Sequence, residues 1–326
     1  NITGLDFAPD WVWFKNRDEN YDHYLFDSVR GATKHLETNN KSSETTNDDS
    51  LTSFNSDGWT TGDDLGTNKN THSIVTWNWK AGTSFSNDAS ATSVGTIDSS
   101  GSVSDDSGFS IVSYTGTGSA GTIKHGLSST PLITLIKQRS SGGTGGGHWN
   151  FVTYQIDGTS DELNVNKTAT KTDRSITAPT SSVFSVDTSD ERNDSGQTYI
   201  CYCFAEKQGY SKISNFIGNG NADGTFVYTG FRPAWIMIKR TDSADDWKIN
   251  DVVRDINGTY GNDASLHANE NITETTSASF NVDFLSNGFK VRSADVGNNA
   301  SGGTYIYMTF AEAPLVNSKG VPCNAR

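Results

Sequence analysis

Apolar and polar residues follow one another along this chain in short runs of strand length. In Pro233–Arg240, PAWIMIKR, one face carries Trp235, Met237 and Lys239 and the other carries Ile236, Ile238 and Arg240. Both faces are apolar until the basic end, which is the pattern of a central strand covered on both sides. The runs IVTWNW (Ile74–Trp79), YICYCF (Tyr199–Phe204) and YIYMTF (Tyr305–Phe310) read the same way. SDG and SNG ahead of an aromatic are turn signals that deliver the chain into a strand. No stretch of ten residues shows a 3.6-residue period. The pattern predicts an all-β chain, built as β-sandwich or jelly-roll modules.

The runs also repeat. Phe7–Arg17 reads FAPDWVWFKNR, Thr130–Arg139 reads TPLITLIKQR and Phe231–Arg240 reads FRPAWIMIKR, and in each the lysine lies six positions after the proline (Lys15, Lys137, Lys239). SYTGTG at Ser113 returns as NFIGNG at Asn215, with the spacing that separates Pro131 from Pro233. An aromatic stretch follows each proline strand, starting at Tyr24, Trp149 and Trp247, and then come LETN, LNVN and LHAN. FNSDGW (Phe54–Trp59) matches FLSNGF (Phe284–Phe289), while the middle segment has only VFSVD there. Landmarks recurring in one order define an internal repeat.

Three divergent modules of about 100 residues, a common domain size, are therefore expected. Residues 1–82 form the first, 109–208 the second and 209–313 the third. A Ser/Thr/Gly/Asp-rich connector occupies 83–108, and 314–326 is read as an extended tail. The first module lacks a counterpart of SYTGTG and opens level with the middle of the others' opening hairpin. A sheet missing its first strand exposes an unpaired edge, so either earlier residues or another chain is expected to cover it.

Composition narrows the classes. Hydrophobic residues are 33% and charged residues 19%, yet 8 Trp, 11 Tyr and 16 Phe exclude a disordered chain. The net charge of −13 argues against nucleic acid or an anionic membrane as partner. No apolar run approaches the roughly 18 residues needed to insert as a spanning helix. Cys201 and Cys203, two apart on one strand, face the same side and are read as reduced thiols packing as small apolar groups.

Chemistry is sparse in the pattern. Gly116, Gly118 and Gly121 spell GxGxxG after a strand, but Gly126 and Pro131 forbid the helix a dinucleotide site needs. A turn requiring positive φ is the plainer reading. SSGGTGGGH (Ser140–His148) lacks the Lys-Ser/Thr of a phosphate loop and reads as a mobile hairpin tip. Glu206 and Glu312 stand at equivalent places in different modules, so they do not make a glycosidase pair. The six histidines, His23, His35, His72, His125, His148 and His267, recur at no shared position, and no zinc triad emerges. Asp-rich tips at Asp242–Asp246 and Asn47–Asp49 read as solvated loops more readily than as calcium sites. No catalytic, cofactor-binding or metal-binding residues are assigned. Trp59, Trp247, His148, Asp242 and Asp245 are the candidate surface contacts.

The landmarks together resemble a family. VWFKNR, HYLFDSVRGATKHLETN, GFSIVSYTGTGS, FRPAWIMIKRTDSADDW and YIYMTFAEAPLVNSKGVPCNAR are similar to repeat proteins of tailed phages of marine bacteria, described as virion structural or tail-fibre-like. The resemblance implies a non-enzymatic virion protein without a cofactor, assembled in the host cytoplasm and exposed on the particle. Its expected partners are other virion proteins, copies of itself (a trimer first) and a host-surface glycan or receptor. A capsid decoration protein is the alternative, and a polysaccharide-degrading enzyme a more distant one.

Overall fold

A computed structural model describes residues 1–254 and 264–313. The described chain is nearly all β, in antiparallel sheets, and its α-helices are single turns of four residues each. Cys323 and the tail lie outside the described residues.

One strand order recurs in three large sheets. In the second it runs opening strand (Phe109–Thr115), closing strand (Thr198–Phe204), proline strand (Ile133–Gln138), aromatic strand (Asn150–Thr153), leucine strand (Ser160–Asn164) and rim strand (Thr172–Arg174). The third gives Ser211–Ile217, Thr304–Ala311, Pro233–Arg240, Trp247–Asp251, Ala264–His267 and Thr275–Thr276. The first begins at its closing strand, Ile74–Trp79, and continues through Trp11–Asn16, Tyr24–Asp27, Lys34–Glu37 and Thr45–Thr46. Its opening strand is missing among the described residues, as the sequence predicts. Each large sheet lies in a unit with a small one: Ile2–Thr3 with Gly58–Thr61 and Leu51–Asn55, Gly121–Lys124 with Val183–Val186, and Phe226–Tyr228 with Gly288–Val291 and Val282–Leu285.

The two apolar faces of the proline strands have different neighbours. Ile236 and Ile238 pack outward with Phe289 and Val291 of their own small sheet. Val12 and Phe14 do so with Trp59, and Ile136 with Phe184 and Val186. The inner residues, Trp11 and Trp13, Ile133 and Leu135, Trp235 and Met237, join one cluster drawn from all three units. The Trp11 ring lies tilted 5.0 Å from that of Tyr202, and Trp79 meets Trp235 edge to face at 5.7 Å. The three sandwiches are therefore not separate beads. They close around a shared aromatic core.

The repeated lysines mark the edge of that core. They continue the inner face of each proline strand, and all three are fully buried. Each ammonium donates to carbonyls of its own unit and of the next one round the ring. Lys15 reaches Asn271 O (3.2 Å), Lys137 reaches Lys41 O (3.4 Å) and Lys239 reaches Thr168 O (3.2 Å). Backbone bonds follow the same circuit: Glu274 N to Arg17 O, Glu44 N to Arg139 O and Lys171 N to Thr241 O, at 2.8–2.9 Å. Indole N–H groups span two of the seams, Trp149 to Glu37 O at 2.7 Å and Trp247 to Asn164 O at 3.0 Å.

Strand register refines the repeat. Asp27, Thr153 and Asp251 pair with the equivalent residues Trp11, Ile133 and Trp235. His23, one residue before Tyr24, therefore stands where the others have Trp149 and Trp247. Buried, and held well below the ordinary histidine pKa chiefly by desolvation, it accepts from Trp13 Nε1 at 2.9 Å. Two seams carry a polar buried cluster. Tyr202 OH donates to Asp27, which Arg30 holds, and Trp77 Nε1 donates to Asp251, which Arg254 holds at 2.6 Å. Thr153, Ile156 and Met308 take these places at the third seam.

Residues 83–108 depart from the reading as a connector. Thr83–Asn87 and Ser99–Ser104 pair with one another, and the latter pairs with the opening strand Phe109–Thr115, extending the second sheet to eight strands. Serine-rich SSGSVS has little β signal of its own. It is held by the ladder and by Gly101, whose missing Cβ lets the Ile111 carbonyl approach. The Ser140–His148 tip also differs from expectation: Thr144 N donates to Asp194, and Gly146 N and His148 N donate to Glu191. These bonds pin the tip.

Burial lowers Lys15, Lys137 and Lys239 from the usual 10.5 to about 8. Below pH 8 both folded and unfolded chains hold the protons; between about 8 and 10.5 the unfolded chain binds more, so this source of stability rises with pH. Urea unfolding of wild type and Lys137→Met across that window is expected to show the wild-type advantage growing with pH. A constant or shrinking difference contradicts the assignment.

Candidate functional site

One groove lies where the first sheet stops. Thr76, Trp77, Asn78 and Trp79 of its closing strand form one wall, and Tyr210, Trp235, Phe310 and Ala311 of the third unit form the opposite one. Leu5 and Phe7 close one side, and Lys80, Asp106, Ser107, Lys207 and Gln208 rim the mouth. Its volume is about 940 Å³, at the upper end of ordinary ligand sites. Trp79 and Phe310 approach edge to face, with ring centroids 5.4 Å apart. Ile74–Trp79 pairs with Trp11–Asn16 on one side, and no described strand pairs with the other. Ile74, Val75, Thr76 and Asn78 are accordingly half-buried, whereas Tyr199–Phe204 and Tyr305–Phe310 of the other closing strands are buried throughout. An apolar floor beside a strand edge with no described partner can accept an extended chain or a flat apolar ligand.

A second, shallower groove of about 630 Å³ runs along the second unit. Ser86, Ser99, Ser100, Ser113, Thr115, Thr117 and Thr198 line it, with Asn87, Asp88 and Asp98. Asp88 caps the Ala89–Thr92 helix turn and Asp98 accepts from Ala89 N at 2.8 Å, so both carboxylates already hold backbone. Ser99 Oγ donates to Lys124 O, Thr117 Oγ1 to Ser119 O, and Ser113 Oγ accepts from Arg139, so the groove's exposed hydroxyls suited to a polyhydroxylated surface are those of Ser86, Ser100 and Thr115.

The GxGxxG glycines shape a turn, as expected. Gly118 has φ +72°, and a Cβ on Gly116 would lie 2.2 Å from Asp194 O. Asn193, ending a helix turn, accepts from Thr117 N, and Asn299 accepts from Asn219 N in the matching GNG turn. No helix follows Gly121, which begins a strand.

The five contact residues divide. Trp59 is 5% exposed and packs on Phe14 at 4.7 Å, and Trp247 is 1% exposed within a seam. Both are core, because their strands present them inward, and they are corrected as surface contacts. His148 is half-buried and within 2.9 Å of Asn166 Nδ2; burial lowers its pKa. Asp242 is exposed and paired with Arg240 at 2.9 Å, and Asp245 with Lys248 at 2.5 Å. These two carboxylates face different cations and do not converge. The groove residues went unassigned; the absent opening strand was the signal that pointed toward them.

Two carboxylate groups have metal-ligand spacing. Asp157, Asp161 and Asp173 converge, but Lys171 Nζ stands 2.6 Å from each of them, in the cation's place. His267 Nδ1 lies 3.0 Å from Glu270 and 3.6 Å from Asp246, which also accepts from Asn269. Those three could hold a divalent ion only by surrendering these internal bonds.

A family model described as Domain of unknown function (DUF7483) matches residues 1–314. The chain belongs to that family. The match takes in every described residue, so the three units and both grooves lie within the family's bounds. No curated protein and no solved structure matches the chain.

Lys171→Met leaves the buried Asp161 carboxylate without its counter-charge, and a destabilisation of about 3 kcal/mol is expected at pH 7. Burial already raises the pKa of Asp161, so the loss should shrink at pH 4, where the carboxyl takes up a proton. Denaturant midpoints at the two pH values check this; a loss independent of pH contradicts it.

Proposed function

We propose that the chain is a non-enzymatic virion structural protein, a tail-fibre or spike component that contacts the host surface. The observation that supports this reading best is where the charged groups sit. Buried carboxylates face arginine or lysine partners, as with Asp27–Arg30, Asp251–Arg254 and Glu162–Arg192, and the buried lysines hold carbonyls across seams. These buried titratable side chains thus serve packing within and between the units. The outer surface offers a hydroxyl-lined groove and an open strand edge, which suit contact and assembly more than bond-making chemistry.

In this reading the shared core makes a rigid body and the Ser/Thr groove meets a glycan. The remaining surfaces meet other virion proteins or copies of the chain, a trimer first. A capsid decoration role is the second reading; the same rigidity and the absence of a basic footprint at −13 net charge favour it equally.

Labelling the protein on assembled particles and imaging at low resolution tests the proposal. Label projecting from the tail, as trimers, is the expected result. Label at copy numbers matching the capsid lattice favours the decoration reading, and its absence from the particle overturns both.

A further inference from the structure

We propose that the outer face of the third unit's small sheet is a carbohydrate-binding platform, with Phe226 and Tyr228 as its floor and an uncharged glycan chain as its ligand. The site shares no residue with the Ser/Thr groove, and the inference does not depend on the virion reading.

In Phe226–Tyr228 the middle residue, Val227, packs inward with Phe289 and Val291, so its two neighbours point away from the core. Phe226 is 44% exposed and Tyr228 65%. Opposite Tyr228 stands Gly288, which has no side chain, and Phe226 Cε2 lies 3.1 Å from where its Cβ would be. Tyr228 leans over Gly230 in the same way, its ring and hydroxyl 3.7–3.9 Å from that Cβ position. Each ring thus rests against a glycine and leaves its remaining surface to water. The module itself does not demand these rings. In the second unit Ile123 pairs with Phe184 as Val227 does with Phe289, and there Thr122 and Lys124 take the two outward places.

The rim of the platform narrows the ligand. Lys290 pairs with Phe226 on one side and with Asp283 on the other. Its ammonium holds Asp223 at 2.6 Å, and Arg292 bonds both Asp223 and Asp283. Two cations and two carboxylates cancel, which favours an uncharged partner, and Asp223 is exposed with acceptor capacity to spare. A sugar ring offers both things this face can take: an apolar C–H face to lie on an aromatic ring, and hydroxyls to reach the donors and acceptors beside it. Successive outward positions on a strand stand about 7 Å apart, so neighbouring sugars of one chain can cover both rings. The two rings together expose on the order of 200 Å². That suits a slender ligand and falls well short of the ~800 Å² per side of a stable protein interface.

NMR of the full chain with isotope-labelled Phe and Tyr rings tests this, with fragments of dextran, mannan, galactan and dextran sulfate as probes. The Phe226 and Tyr228 signals should shift with at least one uncharged glycan. Replacing both rings (Phe226→Ala with Tyr228→Ala) should weaken that binding on the order of tenfold or more, whereas Tyr228→Phe should keep most of it. Both positions lie on the surface, and an unchanged denaturant midpoint shows that the variants are folded. Ser100→Ala in the Ser/Thr groove should leave the binding as it was. Ring signals indifferent to every glycan, a response to dextran sulfate alone, or shifts that follow protein concentration instead of glycan would overturn the proposal. The last outcome assigns the face to a second copy. Binding lost in the Ser100 variant but kept without the rings also overturns it, and leaves the virion reading standing.

Discussion

Each large sheet is apolar on both faces, and each unit has only one small sheet with which to cover one of them. That shortage governs the molecule. The uncovered faces, carrying Trp11, Trp13, Leu135, Trp235 and Met237, can leave water only by packing on one another. Three sheets meeting this way close a ring, and the seams of the ring then have to accommodate backbone and charge at the rim of the core. The buried lysines follow from this. Each lies on the inner face of its proline strand, at the point where the sheet leaves the core, and each satisfies carbonyls on both sides of a seam.

The seams obey one geometry but differ in chemistry. Asp27 with Arg30 and Tyr202, and Asp251 with Arg254 and Trp77, are polar clusters that would leave an unpaired buried charge if one member were lost. The third seam, with Thr153, Ile156 and Met308, has neither charge. The first unit differs in another way: among the described residues its closing strand has a neighbour on one side only, and a groove lies beside it.

Much of this was legible in the residues. Proline-to-lysine spacing, the alternation in PAWIMIKR and the aromatic closing runs located the strands, and the missing SYTGTG counterpart located the open edge. The shared core was not legible. Alternation shows that both faces of a strand are covered and is silent on whether the cover comes from the same unit or a neighbour. For the same reason Trp59 and Trp247 read as surface contacts, although their strands turn them inward. Ser99–Ser104 was missed because its pairing comes from the adjacent ladder and not from its own side chains. The candidate grooves assemble residues distant in the chain, such as Thr76 with Phe310, and no local motif marks them.

The central claim is that the three units stabilise one another through a common interior, and unfolding tests it most directly. Trp247→Phe keeps an aromatic ring in the seam between the second and third units but strands the Asn164 carbonyl, a loss of about 1–3 kcal/mol. Five of the eight tryptophans, Trp11, Trp13, Trp59, Trp77 and Trp79, lie in the first unit and report on it by fluorescence. The account predicts that this signal and far-ultraviolet circular dichroism unfold in one coincident transition, and that the variant shifts both to lower denaturant together. A first-unit transition that stays in place while the rest of the chain moves would contradict it.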